Sequence, residues 1–169
     1  MNEQHHAIQA ALQERFSFQA QEFRGDVSLI VSPSQLVEIC RVLRDEFDFE
    51  MLVEETAVDY WPEENPRFHI VYGVRSLKNN LILFLRVPLN GNAPSLPTLE
   101  TIYPNANWFE RELWDMFGIR FEGHSDLRRI LMPDDWAGHP LRKDFPLGYE
   151  EVQFSFNFDE IDKRKPYAK

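Results

Sequence analysis

The chain has 169 residues and a formal net charge of -10, with 43% hydrophobic and 14% aromatic residues. That is enough apolar material for one compact domain with extensions. The acidic balance argues against a nucleic-acid surface, which needs clustered Lys and Arg to displace counterions, and against adhesion to an anionic leaflet. Cys40 is the single cysteine, so no internal disulfide can form and no iron–sulfur cluster can be ligated, and a reducing compartment is expected.

Glu3 to Phe16 has helical composition, with Ile8, Leu12 and Phe16 at about one-turn spacing. Its start, MNEQHHAIQAALQERF, lacks the basic end and apolar block of a signal peptide. The short β-branched run Asp26 to Val31 ends at Ser32-Pro33-Ser34-Gln35, which offers an N-cap serine, a proline at the first helical position and a capping-box glutamine. The helix it opens carries Leu36, Ile39, Cys40, Leu43 and Phe47 on one face, which places Cys40 in the core.

Three strands are expected next, at Phe49 to Val58, Arg67 to Arg75 and Leu81 to Val87. In the second, Phe68, Ile70, Tyr72 and Val74 alternate with His69, Gly73 and Arg75, as in a sheet with one covered face. The third is apolar throughout, as expected of a strand covered on both faces. Its apolar run, Leu81 to Leu85, is too short to span a bilayer, so the chain is expected to be soluble by itself. These elements predict an α+β fold: a compact N-terminal domain of helices on an antiparallel or mixed sheet, over residues 1–104. Within it, Pro88, Pro94, Pro97 and Pro104 make 88–104 an extended connector. A helix and a largely irregular segment then fill 105–147, and an extended tail fills 148–169.

The helix should run from about Asn105 to Phe117 and stop at Gly118, a residue suited to a left-handed cap. At ~100° per residue, Ala106, Phe109, Leu113, Met116 and Phe117 form an apolar arc that Trp108 and Trp114 widen. Asn107, Arg111 and Asp115 take the opposite side. Glu110 and Glu112 fall at apolar shoulders, where a carboxylate must find a cation or several hydrogen bonds. Arg128, Arg129, Arg142 and Lys143 are the candidate partners. Structural ion pairing is the leading reading, with proton transfer by a buried carboxyl as the alternative.

Gly123-His124 and Gly138-His139 each precede a basic pair. Cations so close to each imidazole oppose metal binding, no spacing matches a standard ligand set, and hydrogen bonding is the simpler role for both. The nucleophile elbow, the Walker loop, the dinucleotide-binding glycine motif and the zinc-protease motif are all missing. So dense an ionic segment without a catalytic pattern favours an interaction protein over a free-standing enzyme built on Glu110, Glu112 and the histidines.

The run Asn107-Trp108-Phe109-Glu110-Arg111-Glu112, then Asp115-Met116-Phe117-Gly118-Ile119, Phe121-Glu122-Gly123-His124, Leu127-Arg128-Arg129-Ile130-Leu131 and Gly138-His139-Pro140-Leu141-Arg142-Lys143-Asp144-Phe145-Pro146-Leu147 resembles the signature of the 30 kDa subunit family of respiratory complex I, NADH-quinone oxidoreductase. Gly148 to Val152 continues the pattern, and Ser125 stands where the family usually has proline.

The resemblance implies a hydrophilic-arm subunit with no cofactor of its own, in a proton-translocating complex that uses NADH, FMN, iron–sulfur clusters and quinone. The implied partners are the large quinone-cavity subunit and the subunit that bears the terminal iron–sulfur cluster. No nucleic acid is expected, and the membrane is met only through the complex, peripherally, at the cytoplasmic face of the bacterial inner membrane. Interface and structural roles then fall to Glu110, Arg111, Glu112, Asp115, His124, Arg128, Arg129, His139, Arg142, Lys143 and Asp144. Related membrane-bound hydrogenases and deazaflavin-dependent dehydrogenases have similar subunits.

Overall fold

The computed structural model describes residues 3–91 and 93–146, with 156, 159, 160 and 163 beyond them. The expectations for Leu147 and for the tail fall almost entirely outside the described residues.

Helix α1 (Glu3–Gln13) precedes a hairpin of β1 (Phe18–Phe23) and β2 (Asp26–Val31). The turn is Arg24-Gly25, both at positive φ (55° and 95°), the backbone that keeps a two-residue hairpin in twist with its strands. The polar β1, which local sequence pattern does not announce, pairs with β2 along its whole length, Phe18 opposite Val31 through Phe23 opposite Asp26.

Pro33–Gln35 form a short 3-10 turn, and α2 (Leu36–Phe47) follows it. The expected capping box does not form: Ser32 makes no side-chain cap bond, and its hydroxyl meets Gln35 Oε1 at 3.3 Å instead. The tight 3-10 turn sends the backbone N–H of Gln35 to the Ser32 carbonyl. The helical face itself is as expected, with Leu36, Ile39, Cys40 and Leu43 fully buried. Burial and the nearby Glu55 push the Cys40 thiol well above its ordinary pKa.

Strands β3 (Met51–Asp59), β4 (Phe68–Ser76) and β5 (Leu81–Leu89) complete a five-stranded sheet in the order β1-β2-β5-β4-β3. Only β2 and β5 run parallel, Leu29 beside Leu85, so the sheet is mixed. Short strands β6 (Ser95–Pro97) and β7 (Arg120–Glu122) pair in parallel, placing β6 inside the proline-rich connector. Between them runs α3 (Ala106–Phe117).

One face of the main sheet carries the core. Leu29 and Val31 of β2, Leu52 of β3, Phe68, Ile70, Tyr72 and Val74 of β4, and Leu83, Leu85 and Val87 of β5 join Ile8 and Leu12 of α1, the apolar face of α2, and Ala106, Leu113 and Met116 of α3. The expectation that β5 is covered on both faces is wrong. Leu81, Leu83, Leu85, Val87 and Leu89 are buried, but Ile82 is exposed and Phe84, Arg86 and Pro88 are only half-buried. A run of apolar residues cannot separate one covered face from two, because alternation is lost when the outer residues are also apolar.

Candidate functional site

The site is the irregular segment from about Leu127 to Phe145 together with the helix that holds it. Helix α3 ends on Gly118 in the left-handed region (φ 74°), whose N–H returns to the Trp114 carbonyl. A side chain at 118 would collide with the His139 ring, 2.6 Å from the position of its Cβ. Glycine is thus required for the cap and for the approach of the segment.

The polar side of α3 turns out to be a buried side. Arg111 and Asp115, four residues and one helical turn apart, are both buried. Asp115 Oδ2 accepts from three consecutive backbone N–H groups, Ile130 at 3.1 Å and Leu131 and Met132 at 2.8 Å each. Arg111 donates in the opposite sense, to the carbonyls of Arg128 (3.2 Å) and Arg129 (3.0 Å). The two side chains satisfy an irregular stretch of backbone that has no ladder of its own.

Arg129 closes the clasp. Its guanidinium pairs with the Asp115 carboxylate and donates to the carbonyls of Trp136 (2.8 Å) and Gly138 (3.1 Å). Burial alone would raise the Asp115 pKa. The N–H donors of Met132 and Leu131, the Arg129 guanidinium and the Ile130 N–H outweigh it and hold the carboxyl below its usual range. His139 Nδ1 lies 2.9 Å from the Asp115 carbonyl, and its ring meets Trp114 edge-on.

A second network ties the end of the segment to the sheet. Arg67, fully buried at the mouth of β4, grips Asp59 of β3 through Nε and Nη2, both at 3.0 Å, and reaches Asp144 at 2.7 Å. Its guanidinium also lies 4.8 Å from the ring centroids of Trp61 and Phe68. The Lys143 N–H donates to Asp59 Oδ2 at 2.9 Å, and Arg142 bonds Asp144 at 3.1 Å. The Arg67 and Arg142 guanidiniums hold Asp144 well below the usual carboxylate range.

Glu110 and Glu112 part company here. Glu110 is fully buried, but no arginine or lysine among the described residues meets it: its carboxylate takes the Thr98 hydroxyl and the Leu99 N–H (2.7 Å), with His124 Nε2 3.9 Å away. Glu112 is exposed. The expected pairing of both acids with the downstream cations is therefore corrected. Arg129 goes to Asp115, Arg128 to Asp126 at the surface, and Arg142 to Asp144, while Lys143 enters through its backbone. Helical phase placed the two acids on apolar shoulders; only the route of the connector decides which shoulder is covered. We expect Glu112→Ala to change the chain's stability by less than about 0.5 kcal/mol, as for exposed positions generally, checked by urea denaturation.

His124 serves Asn107 and Asp126. Its Nδ1 accepts the Asp126 N–H at 3.0 Å, which leaves Nε2 protonated to donate to the Asn107 carbonyl at 3.1 Å. Glu100 anchors the same corner through Ser125 and Asn107. Among the described residues no group of three or more His, Cys, Asp or Glu converges to hold a metal ion.

Two acids, Glu55 and Glu110, are buried in the core near enough for one charge to act on the other. Glu55, on β3, sits opposite Tyr72 of β4, and among the described residues no hydrogen bond reaches either of its carboxyl oxygens. Burial, then Glu110, raises its pKa well above normal. Burial raises Glu110 to about 7. Both folded-state values lie above the unfolded ones, so their contribution is full below about pH 4.5 and falls as pH rises, that of Glu110 being lost through about 7. Glu110→Gln is expected to flatten the fall in stability between about pH 5 and 8, read by chemical denaturation across that range; an unchanged profile would show that Glu110 ionises freely in the fold.

Sequence reasoning missed Asp59 and Arg67. The signal was present: Asp59 lies in phase with Glu55 and Ala57, opposite the inward Phe68, and an acid at an inward position demands a buried cation.

A helix whose polar side holds irregular backbone, with that backbone's apolar side chains left outward, is built onto an α+β domain. The profile of the family described as "Respiratory-chain NADH dehydrogenase, 30 Kd subunit" matches residues 29–151, and the chain belongs to that family. It is 51% identical over 150 residues to the corresponding NADH-quinone oxidoreductase subunit of Roseiflexus sp. (strain RS-1), covering 88% of this chain and 86% of that one. To the corresponding subunit of Herpetosiphon aurantiacus it is 46% identical over 167 residues, covering 95% and 97%. Among solved structures, a trypsin-resistant fragment of Nqo5 aligns with a TM-score of 0.60 at 28% identity, over 73% of this chain and 98% of that one. A chain of the membrane-bound sulfane sulfur reductase, an archaeal respiratory membrane complex, shares the fold, with a TM-score of 0.76 at 21% identity over 96% and 91%.

Proposed function

We propose that this chain is a scaffold subunit of the hydrophilic arm of a proton-translocating NADH-quinone oxidoreductase, bearing no cofactor of its own. Its clasped segment docks onto the large quinone-cavity subunit, beside the subunit with the terminal iron–sulfur cluster. The observation that carries this reading is the surface of the clasp. Leu131, Leu141 and Trp136 are 61%, 53% and 41% exposed on a segment that Asp115, Arg111 and Arg129 hold in place, and Trp108 of α3 is 59% exposed. Large apolar side chains gathered on an ordered surface mark an interaction site, and aromatic residues are favoured at the centre of such sites.

The relatives' shared name, as subunits of NADH-quinone oxidoreductase, favours NADH and quinone over a hydrogenase or deazaflavin-dependent complex. No helix among the described residues is long and apolar enough to cross a membrane, which suits attachment through other subunits at the cytoplasmic face. The electrons pass through the complex's FMN and iron–sulfur centres, and this chain's share of the work is position. Co-purification with spectroscopy tests the reading. The tagged chain should be recovered with the other subunits and should be colourless and inactive when stripped from them. A monomer with its own turnover would contradict it.

A further inference from the structure

The face of the main sheet turned away from the helices is an unclaimed surface. Its outward residues include Ile30 of β2, Val58 of β3, Val71 of β4, and Ile82, Phe84 and Pro88 of β5, of which Ile82 and Val58 are 39% and 37% exposed. Gly73 keeps the middle flat: an added Cβ would lie 3.3 Å from both Phe84 and Val53. No helix among the described residues covers it, although sheets commonly bury both faces under helices.

Its charges are unusual for so acidic a chain. Arg86 stands on this face on the middle strand and Arg75 near the end of the neighbouring β4, and neither meets a carboxylate among the described residues. Arg86 gives its Nε to His69 Nδ1 at 2.8 Å and an Nη to the Tyr60 hydroxyl, while Arg75 reaches Asn80 Oδ1. The Nε of Arg75 is buried without any acceptor. The acids of this face are exposed: Asp26 at the start of β2, and Glu54 of β3, which stands beside Gly73 of β4 and makes no ion pair with Arg75 among the described residues.

We infer that this open face seats an acidic amphipathic helix of a neighbouring subunit, its apolar side on the Val71–Phe84 band and its carboxylates on Arg75 and Arg86. Arg86 pairs with Val71 in the register, and Arg75 lies four residues further along β4, about 13 Å at the rise of a strand. Two acids about seven or eight residues apart share one face of a helix and stand roughly 11 Å apart, close enough for their side chains to reach both arginines. A second copy of this chain is a poor occupant, because a twofold contact would set arginines against arginines. An anionic leaflet is disfavoured by the net charge of -10.

The inference rests on the chain's membership of a multi-subunit complex, and the test separates the two. Ile82→Cys and, separately, Leu131→Cys on the clasp surface are reacted with a maleimide in the isolated chain and in the purified complex; the native Cys40 is buried and silent. Labelling of Ile82→Cys should slow by about tenfold or more in the complex, as in the water-excluded core of an interface. If the Leu131→Cys thiol is protected and the Ile82→Cys thiol is not, the sheet-face inference alone is overturned. If neither is protected, the docking reading falls with it. The occupant is identified with Arg86→Lys and a carbodiimide, which couples an amine to an adjacent carboxylate. A cross-link to an acidic helix of another subunit supports the inference. A cross-link to a second copy, or protection without any cross-link, overturns it.

Discussion

Replacing Asp115 with alanine is expected to release the segment around 127–141 while the sheet domain stays folded. The substitution strands three backbone N–H groups and the Arg129 guanidinium in a place with little water. Removing one partner of a buried charged network costs about 3–5 kcal/mol, more than an irregular segment without a ladder can absorb. The loss should be local, since Leu36, Ile70 and Leu85 and the rest of the sheet core do not depend on the clasp. Hydrogen exchange reads it directly: the amides of Ile130, Leu131 and Met132 should lose about a hundredfold or more of protection, with the amides of β4 and β5 unchanged. Asp115→Asn keeps an acceptor and should fall between the two. Retained protection in Asp115→Ala would mean that the segment is held by its apolar contacts instead.

The second large effect belongs to Arg67. Replacing it with methionine, which fills a similar volume, leaves Asp59, whose side chain is 2% exposed, facing only the N–H groups of Trp61 and Lys143. A global loss of about 3–5 kcal/mol is expected, because Arg67 joins β3, β4 and the end of the clasped segment. For a chain of this size that is of order 10 °C in melting temperature. Adding Asp59→Asn should recover part of it, and the double-mutant cycle gives the coupling. The pH dependence follows from the carboxyls. Burial works against Asp59, but Arg67 and the backbone donors prevail and lower it, and Arg67 with Arg142 lowers Asp144. The network's contribution is therefore present above about pH 4 and lost as pH falls below the unfolded carboxylate range. Glu55 and Glu110 act in the opposite sense, so the chain should be most stable in mildly acidic solution.

Much of the architecture was written in local pattern. Alternation from Phe68 to Val74, broken only by the apolar Val71, gave β4 and its covered face, and the periodicity of Leu36, Ile39, Cys40 and Leu43 gave α2. Gly118 marked the end of α3 because few other residues accept its backbone. What failed were features that depend on distant chain. The route of Thr98 and Leu99 over α3 decides that Glu110 is buried and Glu112 is not, and no helical wheel contains that route. The buried use of Arg111 and Asp115 was hidden for the same reason: a polar helix side reads as solvent-facing until something polar is laid upon it. The family signature includes Arg111 and Asp115 by whole-motif resemblance without saying what they hold, and Arg67 and Asp59 lie outside the motif. Strand β1 was missed because five of its six residues are exposed, so no apolar periodicity announced it.

The claim that this chain works by position is tested most directly on the clasp surface. Leu131→Asp combined with Trp136→Asp places charge on exposed residues and should leave the isolated chain's melting temperature unchanged. In cells carrying this variant, the amount of assembled complex is measured on native gels together with NADH–quinone turnover per assembled complex. The account predicts that assembly falls severely while each complex that does form turns over normally. Full assembly with lost turnover would contradict it and move the chemistry onto this chain.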